Sequence, residues 1–546
     1  MKKSITTGLI ALFAIVMCVA TVQAQTTPTS GTTGPLTWKY DTGTKTLTIS
    51  GKGDMPNYGW EHRAPWEDYN REMLMLVVEE GVTGIGDHAF RGAGNLISAS
   101  LPTSLTRIGF APFAFCRSLP MVTIPAGVTK IGDWAFEFCY GLAIVSLPAG
   151  LQEIGAGAFS WCEKLSAVTI PAGVKKIGER AFASCSSLPT ITVADGNTNY
   201  IVVDGVLFNK AKTTIVQYPA GRVATSYVIP KEVTSIGGSA FNGAKNLTAV
   251  TIPAGVTSIG EWAFADCSKL TSIAIPAAVK TIGTNAFISC QELAEIKVDA
   301  ANTAYISVDG VLFDKAKKTL IKYPEERNAT VYAIPAGVTN IESEAFGGSE
   351  KLTSITIPAT VKKIGEGAFF RSGLTSAVIP DGVDTIASRT FSWCEKLASV
   401  TLPSSVKAIR FTAFYGCKNL KSLTVGMKTP PDIDKKNVFE GVSLANVTLT
   451  VPKGSKAAYA AAPVWKEFKQ IAESTVSNVL LPEARIYTAD GRLYLTLSRA
   501  ETVHIYNVSG ALVRTFTAPV GETSVTLPQG VYVVRAGERT EKVFIH

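Results

Sequence analysis

The chain has 546 residues, 46% of them hydrophobic, and a formal net charge of +8. The charge is small for this length and spread along the sequence, which excludes a nucleic-acid-binding stripe. The length has room for several domains. Beyond the N-terminus, no apolar run reaches the about 18 residues that a membrane-spanning helix needs.

Lys2 and Lys3 precede an apolar run from Leu9 to Ala20, and Val22-Gln-Ala24 follows. This is the pattern of a secretory signal peptide over residues 1–24, cut after Ala24. The run is too short for a membrane anchor. Bulky Met17 stands before Cys18, where a lipoprotein would need a small residue. Export is therefore expected. Residues 25–80 read as a leader and an N-terminal cap. Residues 25–35, rich in Thr, Gly, Ser and Pro, are expected to be flexible. Leu36-Thr-Trp-Lys-Tyr40 and Thr46-Leu-Thr-Ile-Ser-Gly51 flank a Gly-Thr-Lys turn, a hairpin pattern. Tyr58, Trp60 and Trp66 suit a cover for the first repeat; the other reading is a sugar platform.

Residues 81–426 carry the pattern I-G-x-x-A-F-x-x-C-x-x-L-x-x-[VI]-x-[IL]-P, stated most fully from Ile259 to Pro276. Its marker phenylalanines are Phe90, Phe113, Phe136, Phe159, Phe182, Phe241, Phe264, Phe287, Phe346, Phe369, Phe391 and Phe414. Nine successive spacings are 22 or 23 residues and two are 59. A fixed period in this range is a solenoid signature. In Leu247-Thr-Ala-Val-Thr-Ile-Pro253, Val250 and Ile252 share one face of a short strand, which Pro253 stops because it lacks an N–H. Val256 and Ile259 then return beneath the coil, and Phe264 fills its middle. One coil cannot bury these groups alone; twelve stacked coils make one core.

This pattern resembles the leucine-rich repeats of BspA-type bacterial surface proteins over residues 36–474. It departs from the L-x-x-L-x-L-x-x-N repeat, because Pro stands where an Asn ladder would run. The resemblance implies attachment to host matrix proteins or other cells. The expected fold is mainly β: an elongated leucine-rich-repeat solenoid of twelve coils with two hairpin insertions, then a small C-terminal β-sandwich.

The insertions span residues 189–225 and 294–330. Tyr200-Ile-Val-Val-Asp-Gly-Val-Leu-Phe recurs as Tyr305-Ile-Ser-Val-Asp-Gly-Val-Leu-Phe, 105 residues later. Each reads as a β-hairpin with a basic tip, Lys210 and Lys212 in the first, Lys315 and Lys317 in the second. Such a tip is a contact surface if loops carry the function; otherwise the insert only continues and bends the sheet. Residues 427–475 read as a C-terminal cap. A short helix is expected between Ala457 and Ile471, with Trp465 and Phe468 closing the last coil. Residues 476–546 alternate short β runs with Gly turns, as in a small sandwich. Ile505-Tyr-Asn-Val-Ser-Gly510, Leu527-Pro-Gln-Gly-Val-Tyr532 and Lys542-Val resemble the C-terminal sorting domains of type IX secretion cargo. That likeness implies an export address and an outer-membrane-associated location; a plain immunoglobulin-like module is the alternative.

Eight cysteines (116, 139, 162, 185, 267, 290, 394 and 417) each stand three residues after a marker Phe. Ala93, Ala244, Ser349 and Ser372 take that slot elsewhere. It therefore wants a small buried side chain, and reduced, packed thiols are expected over disulfides. His62, His88, His504 and His546 are scattered, so no catalytic triad is legible. Glu163 and Glu395 recur in one repeat context, Trp-Cys-Glu-Lys-Leu, and read as repeat surface. Asp195-Gly-Asn-Thr-Asn199 is half a calcium loop, but Ala300 and Ala304 replace two of its oxygens in the second insert. No metal, cofactor or enzymatic activity is expected.

The candidate binding surface is a hydroxyl-rich stripe between the apolar strand positions: Thr123, Ser146, Thr169, Thr251, Thr356 and Thr401. The expected function is adhesin-like attachment of a monomeric surface protein to host proteins or cells, without nucleic acid. The alternative is polysaccharide binding through Trp60, Trp66, Trp134, Trp161, Trp262 and Trp393.

Overall fold

The computed structural model describes residues 28–474 apart from Lys435, together with 485–489, 491–497, 501–518, 521–537 and 539–545. The expected signal peptide, residues 1–24, lies outside the described residues.

Each coil has three sides. On the first, a strand such as Ser272–Ile275 pairs in parallel with Glu295–Val298 of the next coil, Ile273 opposite Ile296. Alternation decides the facing: Ile273 and Ile275 are buried, and Ala274 points to solvent. The proline that ends the strand also starts the next turn, its carbonyl accepting the N–H three residues on (Pro253 from Val256, 3.1 Å).

The second side is a ladder of two-residue strands at the Ile of I-G. Ser258–Ile259 pairs in parallel with Ser235–Ile236 and with Thr281–Ile282. The glycine after it is needed for space. A Cβ on Gly260 would lie 2.5 Å from the backbone nitrogen of Gly238 one coil below.

The third side turns around the marker Phe. In all twelve coils the residues two before and two after it have positive φ, Trp262 (56°) and Asp266 (56°) among them. Alternating right- and left-handed residues turn every second N–H the same way. The N–H groups of Trp262, Phe264 and Asp266 donate to the carbonyls of Thr284, Ala286 and Ile288. The left-handed strain, about 1–2 kcal/mol per non-glycine residue, is offset by this third ladder. Inside it, successive Phe rings stack, Phe136 on Phe113 at 5.2 Å and on Phe159 at 5.4 Å.

Each insert is a three-stranded meander rather than a hairpin. Tyr200–Val203 and Val206–Asn209 are antiparallel. Thr214–Gln217 then runs antiparallel to Val206–Asn209 and parallel to Ser235–Ile236, so it rejoins the second ladder. The second insert repeats this with Tyr305–Val308, Val311–Asp314 and Thr319–Lys322. Tyr218 and Tyr323 take the ring-stack position against Phe241 and Phe346. At the other edge, the Tyr200 hydroxyl accepts the Ile177 N–H, and the Tyr305 hydroxyl that of Ile282, both at 2.8 Å.

The caps differ from expectation at both ends. Part of the expected flexible leader is a strand: Ser30–Thr33 pairs with Leu36–Asp41. Trp66 is buried and stacks on Phe90, its indole N–H donating to the Ala89 carbonyl at 2.8 Å. At the C-terminal end the helix is only Lys456–Ala461. The strand ladder continues beyond residue 426 through Thr448–Val451 to Gln470–Glu473, and Phe439 adds a ring to the stack. Helix propensity lost here to the parallel edge, which leaves backbone groups that a strand satisfies and a helix cannot.

The C-terminal residues form two antiparallel sheets of three and four strands. They share one apolar core that includes Leu493, Leu495, Ile505 and Val534.

Candidate functional surfaces

The strand stripe is in register. Thr123 opposes Ser146, and Thr169 opposes Thr192 with their hydroxyls 2.7 Å apart. Thr251, Thr356 and Thr401 pair with Val228, Ala333 and Val378. Thr123, Ser146, Thr169 and Thr251 are exposed, and Thr356 and Thr401 half-buried. Thr424 and Thr450 continue the row. The stripe is less uniformly small than its sequence pattern: Met121 and Ile144, paired side by side, are both more than half exposed.

The insert tips hold Lys210, Lys212, Lys315 and Lys317 on exposed turns. Asn209 and Asp314 tie these turns shut by accepting the N–H of Thr214 and Thr319. Lys210 is not wholly free, since its ammonium donates to the Asn197 carbonyl. Asn197 itself is a clasp. Its amide donates to the carbonyls of Pro171 and Val174 and accepts the N–H of Asn199 and Tyr200. Asn302 clasps the second insert alike, so this oxygen serves the fold.

The eight cysteines are buried free thiols. Each donates to the carbonyl of the marker Phe one coil below, Cys139 to Phe113 at 3.1 Å and Cys417 to Phe391 at 3.0 Å. Burial pushes these thiols well above their ordinary range.

A surface not legible in the sequence lies over the left-handed positions. Trp60, 90% exposed, and Phe115 flank the Arg91 guanidinium at 5.6 and 5.2 Å. Phe115 stacks on Phe138 at 4.7 Å, and Phe138 on Trp161 at 5.9 Å. Beside Trp60 is a cavity of about 320 Å³, lined also by Tyr58, Arg63 and His88. Burial lowers the His88 pKa below its ordinary value, which favours the neutral ring. Trp134 and Trp262 do not join this platform; they sandwich Arg180, each ring 5.2 Å from its guanidinium. Trp134 reaches it only because Gly157 lies between, where a Cβ would meet the indole at 2.2 Å. Trp393 stands apart, partly exposed, under Lys418. Trp66 is buried in the cap. The signal that was available is the recurring F-x-G of residues 90–92, 241–243, 346–348 and 414–416. Glycine there marks a left-handed slot that Phe115, Phe138 and Trp161 share.

Parallel ladders on every side of a 23-residue coil, with a ring stack inside, define a leucine-rich-repeat solenoid. The family model described as "BspA type Leucine rich repeat region (6 copies)" matches residues 83–210, 222–329 and 322–446. The chain belongs to this family. Three solved structures are similar to it. A leucine-rich repeat protein from Eubacterium ventriosum is 26% identical, covering 76% of this chain and 96% of that one, with a TM-score of 0.46. A leucine rich cell surface protein from Faecalibacterium prausnitzii is 24% identical over 82% and 96%, with a TM-score of 0.34. The pneumococcal vaccine antigen PcpA is 19% identical over 82% and 99%, with a TM-score of 0.36. No curated protein matches the chain. Among the described residues, no helix is long and apolar enough to cross a membrane.

Proposed function

We propose that this is an exported, surface-displayed protein that binds other macromolecules, in adhesin-like attachment to host proteins or cells. The repeat family supports a protein-binding role. The observation that carries the reading is the in-register hydroxyl stripe. It offers an extended partner hydroxyls on adjoining rungs, about 4.8 Å apart, at Thr123–Ser146, Thr169–Thr192 and Thr401–Thr424–Thr450, beside the exposed Met121–Ile144 pair. On this reading the chain is a monomer without enzymatic activity. The C-terminal sheets act as a type IX sorting signal that leaves it associated with the outer membrane, and the insert tips are secondary contacts. A biosensor panel of matrix proteins, mucins and glycans, run with residues 25–475 and with the full mature chain, tests it. A protein hit that survives tail removal and is lost on replacing Thr123 and Thr169 by Lys supports attachment through the stripe. Silence at micromolar protein across the matrix proteins and on host cells would sink it.

Glycan binding is a second reading, favoured by the Trp60–Arg91–Phe115–Phe138–Trp161 platform. Aromatic rings and guanidinium groups suit sugar faces and anionic substituents. Tryptophan fluorescence unchanged across a polysaccharide panel would dismiss it.

A further inference from the structure

In every coil but one, the Leu of the repeat follows the marker Phe by six residues; in the coil of Phe369, Leu374 follows by five. This is the source of the single 22-residue spacing, Phe369 to Phe391. The missing residue belongs to the outer turn. The coil before has Glu350-Lys351 there and the coil after has Glu395-Lys396, but here Gly373 stands alone. The shortened turn is drawn in against its neighbour. The Gly373 N–H donates to the Ser349 carbonyl at 3.0 Å. A Cβ on Gly373 would lie 2.0 Å from the Glu350 carbonyl oxygen, so only glycine fits so close. Across the gap, the Lys396 ammonium reaches past the shortened coil to that same Glu350 carbonyl, at 3.4 Å.

The deletion leaves a notch of about 410 Å³ between the coils of Phe346 and Phe391, within the range of small-ligand pockets. Ser372 and Gly373 are its buried floor. Trp393, 39% exposed, stands in its wall. Gly416 and Lys418 of the following coil lie against the indole: a Cβ on Gly416 would be 3.0 Å from it, and the Lys418 ammonium is 5.5 Å from its centroid. The notch is on the side of the preceding coil. Arg371 stands there at the slot where, three coils from the N-terminal cap, Phe138 lies against Trp161. Both tryptophans open the same run, Trp-Cys-Glu-Lys-Leu, so what sets Trp393 apart is the coil before it. Arg371 and Lys396 bring N–H donors to the lining, and Glu350 and Glu395 bring carboxylate acceptors; all four are exposed. A hydrogen bond from the Lys418 ammonium, at 2.9 Å, holds the Glu395 carboxyl below its ordinary range.

An anion in the notch would meet two carboxylates, and a cation would meet Arg371, Lys396 and the nearby Lys418. A charged ligand of either sign is therefore disfavoured. A neutral ligand with one flat apolar face and an edge of groups that both donate and accept suits the indole and its rim. A pyranose ring has both, a face of C–H groups and vicinal hydroxyls around it. We propose that this notch binds one neutral hexose unit of a glycan, stacked on Trp393. Its hydroxyls donate to Glu395 and Glu350 and accept from Arg371 and Lys396. The ligand class rests on the glycan reading, but the site lies near the other end of the repeat array from the Trp60 platform.

The test is titration calorimetry, with tryptophan fluorescence alongside, on the full mature chain. The probes are neutral hexasaccharides of glucose, mannose and galactose. Hexagalacturonate and hexaglucosamine are the charged controls, and uridine and N-acetyl-tyrosinamide are flat ligands of other classes. Binding of a neutral hexasaccharide in preference to all four controls is expected. Trp393→Gly installs the residue that Gly92, Gly243, Gly348 and Gly416 already provide at that slot. It should leave the circular dichroism spectrum unchanged and weaken binding roughly tenfold or more. Glu395→Gln should weaken it about tenfold, through the loss of a charged hydrogen bond. Preference for any control, or sugar binding indifferent to either variant, would overturn the proposal. Binding lost with Trp60→Ala and kept with Trp393→Gly would overturn the notch and leave the glycan reading standing at the platform. Silence of every sugar would sink both.

Discussion

Replacing Cys139 by Ala and by Ser separates two reasons for a cysteine at that slot. Cys139 is fully buried, and its thiol donates to the Phe113 carbonyl at 3.1 Å. That carbonyl also accepts the Cys116 N–H, so losing the thiol does not orphan it. Cys139→Ala removes about one methylene's worth of burial, about 0.8 kcal/mol. A small cavity brings the loss to about 1–1.5 kcal/mol. Serine is nearly isosteric but its C–O bond is shorter. At the same slot the Ser349 hydroxyl is buried with no partner, and the Ser372 hydroxyl turns to the Cys394 sulfur at 3.3 Å. Cys139→Ser should therefore lose the same burial and strand a hydroxyl, at a further cost of about 1–3 kcal/mol. The expected order of urea midpoints, followed by circular dichroism under reducing conditions, is wild type, then Ala, then Ser. A Ser variant as stable as the Ala variant would mean that the hydroxyl reaches the carbonyl, and the argument from bond length would be wrong.

Three further outcomes follow from the same geometry. All eight repeat thiols should be silent to a disulfide reagent in the native protein and titrate together in denaturant; a thiol reacting natively would contradict the burial of the ladder. Tyr200→Phe should cost about 1–3 kcal/mol by leaving the Ile177 N–H without its acceptor, while Tyr140→Phe, on the half-buried turn face, should cost little. Burial gives Glu344 a folded pKa of about 7 against an ordinary 4.5. The folded state holds the proton longer, so this group's contribution is intact below about 4.5 and lost as pH rises through about 7. Glu344→Gln should therefore be the more stable protein at pH 8, by up to roughly 3 kcal/mol, and lose that advantage at pH 4; equal stability at both values would refute the assignment.

The rungs were legible because their physics is periodic. Phe, Leu and Ile recur at fixed offsets, and a 23-residue period leaves one way to bury them. The cysteine slot was legible from Ala93 and Ser349 standing in for Cys. The left-handed pair around each Phe was not, because Trp, Arg and Glu fill positions where only glycine announces itself. Trp134 and Trp161 thus looked alike in sequence, yet one packs on Arg180 and the other ends an aromatic stack. What the hairpin reading left out of each insert is its first strand, Tyr200–Val203 and Tyr305–Val308, since it took only the strands on either side of the Lys-rich turn. A cavity between the coils of Phe287 and Phe346 is lined from both sides of an insert, by Asn285 and Glu344 among others. No local pattern encodes such a meeting.

The inserts also bear on how the molecule meets force. Its apolar interior is divided at them into three separately packed blocks. Within a block, every coil holds its neighbour by ladders on three sides and by a ring stack. At the joints, among the described residues, the ring stack stops at Phe182 and at Phe287 and restarts at Tyr218 and at Tyr323. A tyrosine hydroxyl stands in for the ladder strand there. A tether anchored at one end and loaded at the other yields first where fewest bonds act in parallel. Under such a load the two joints are expected to part before the blocks between them unfold.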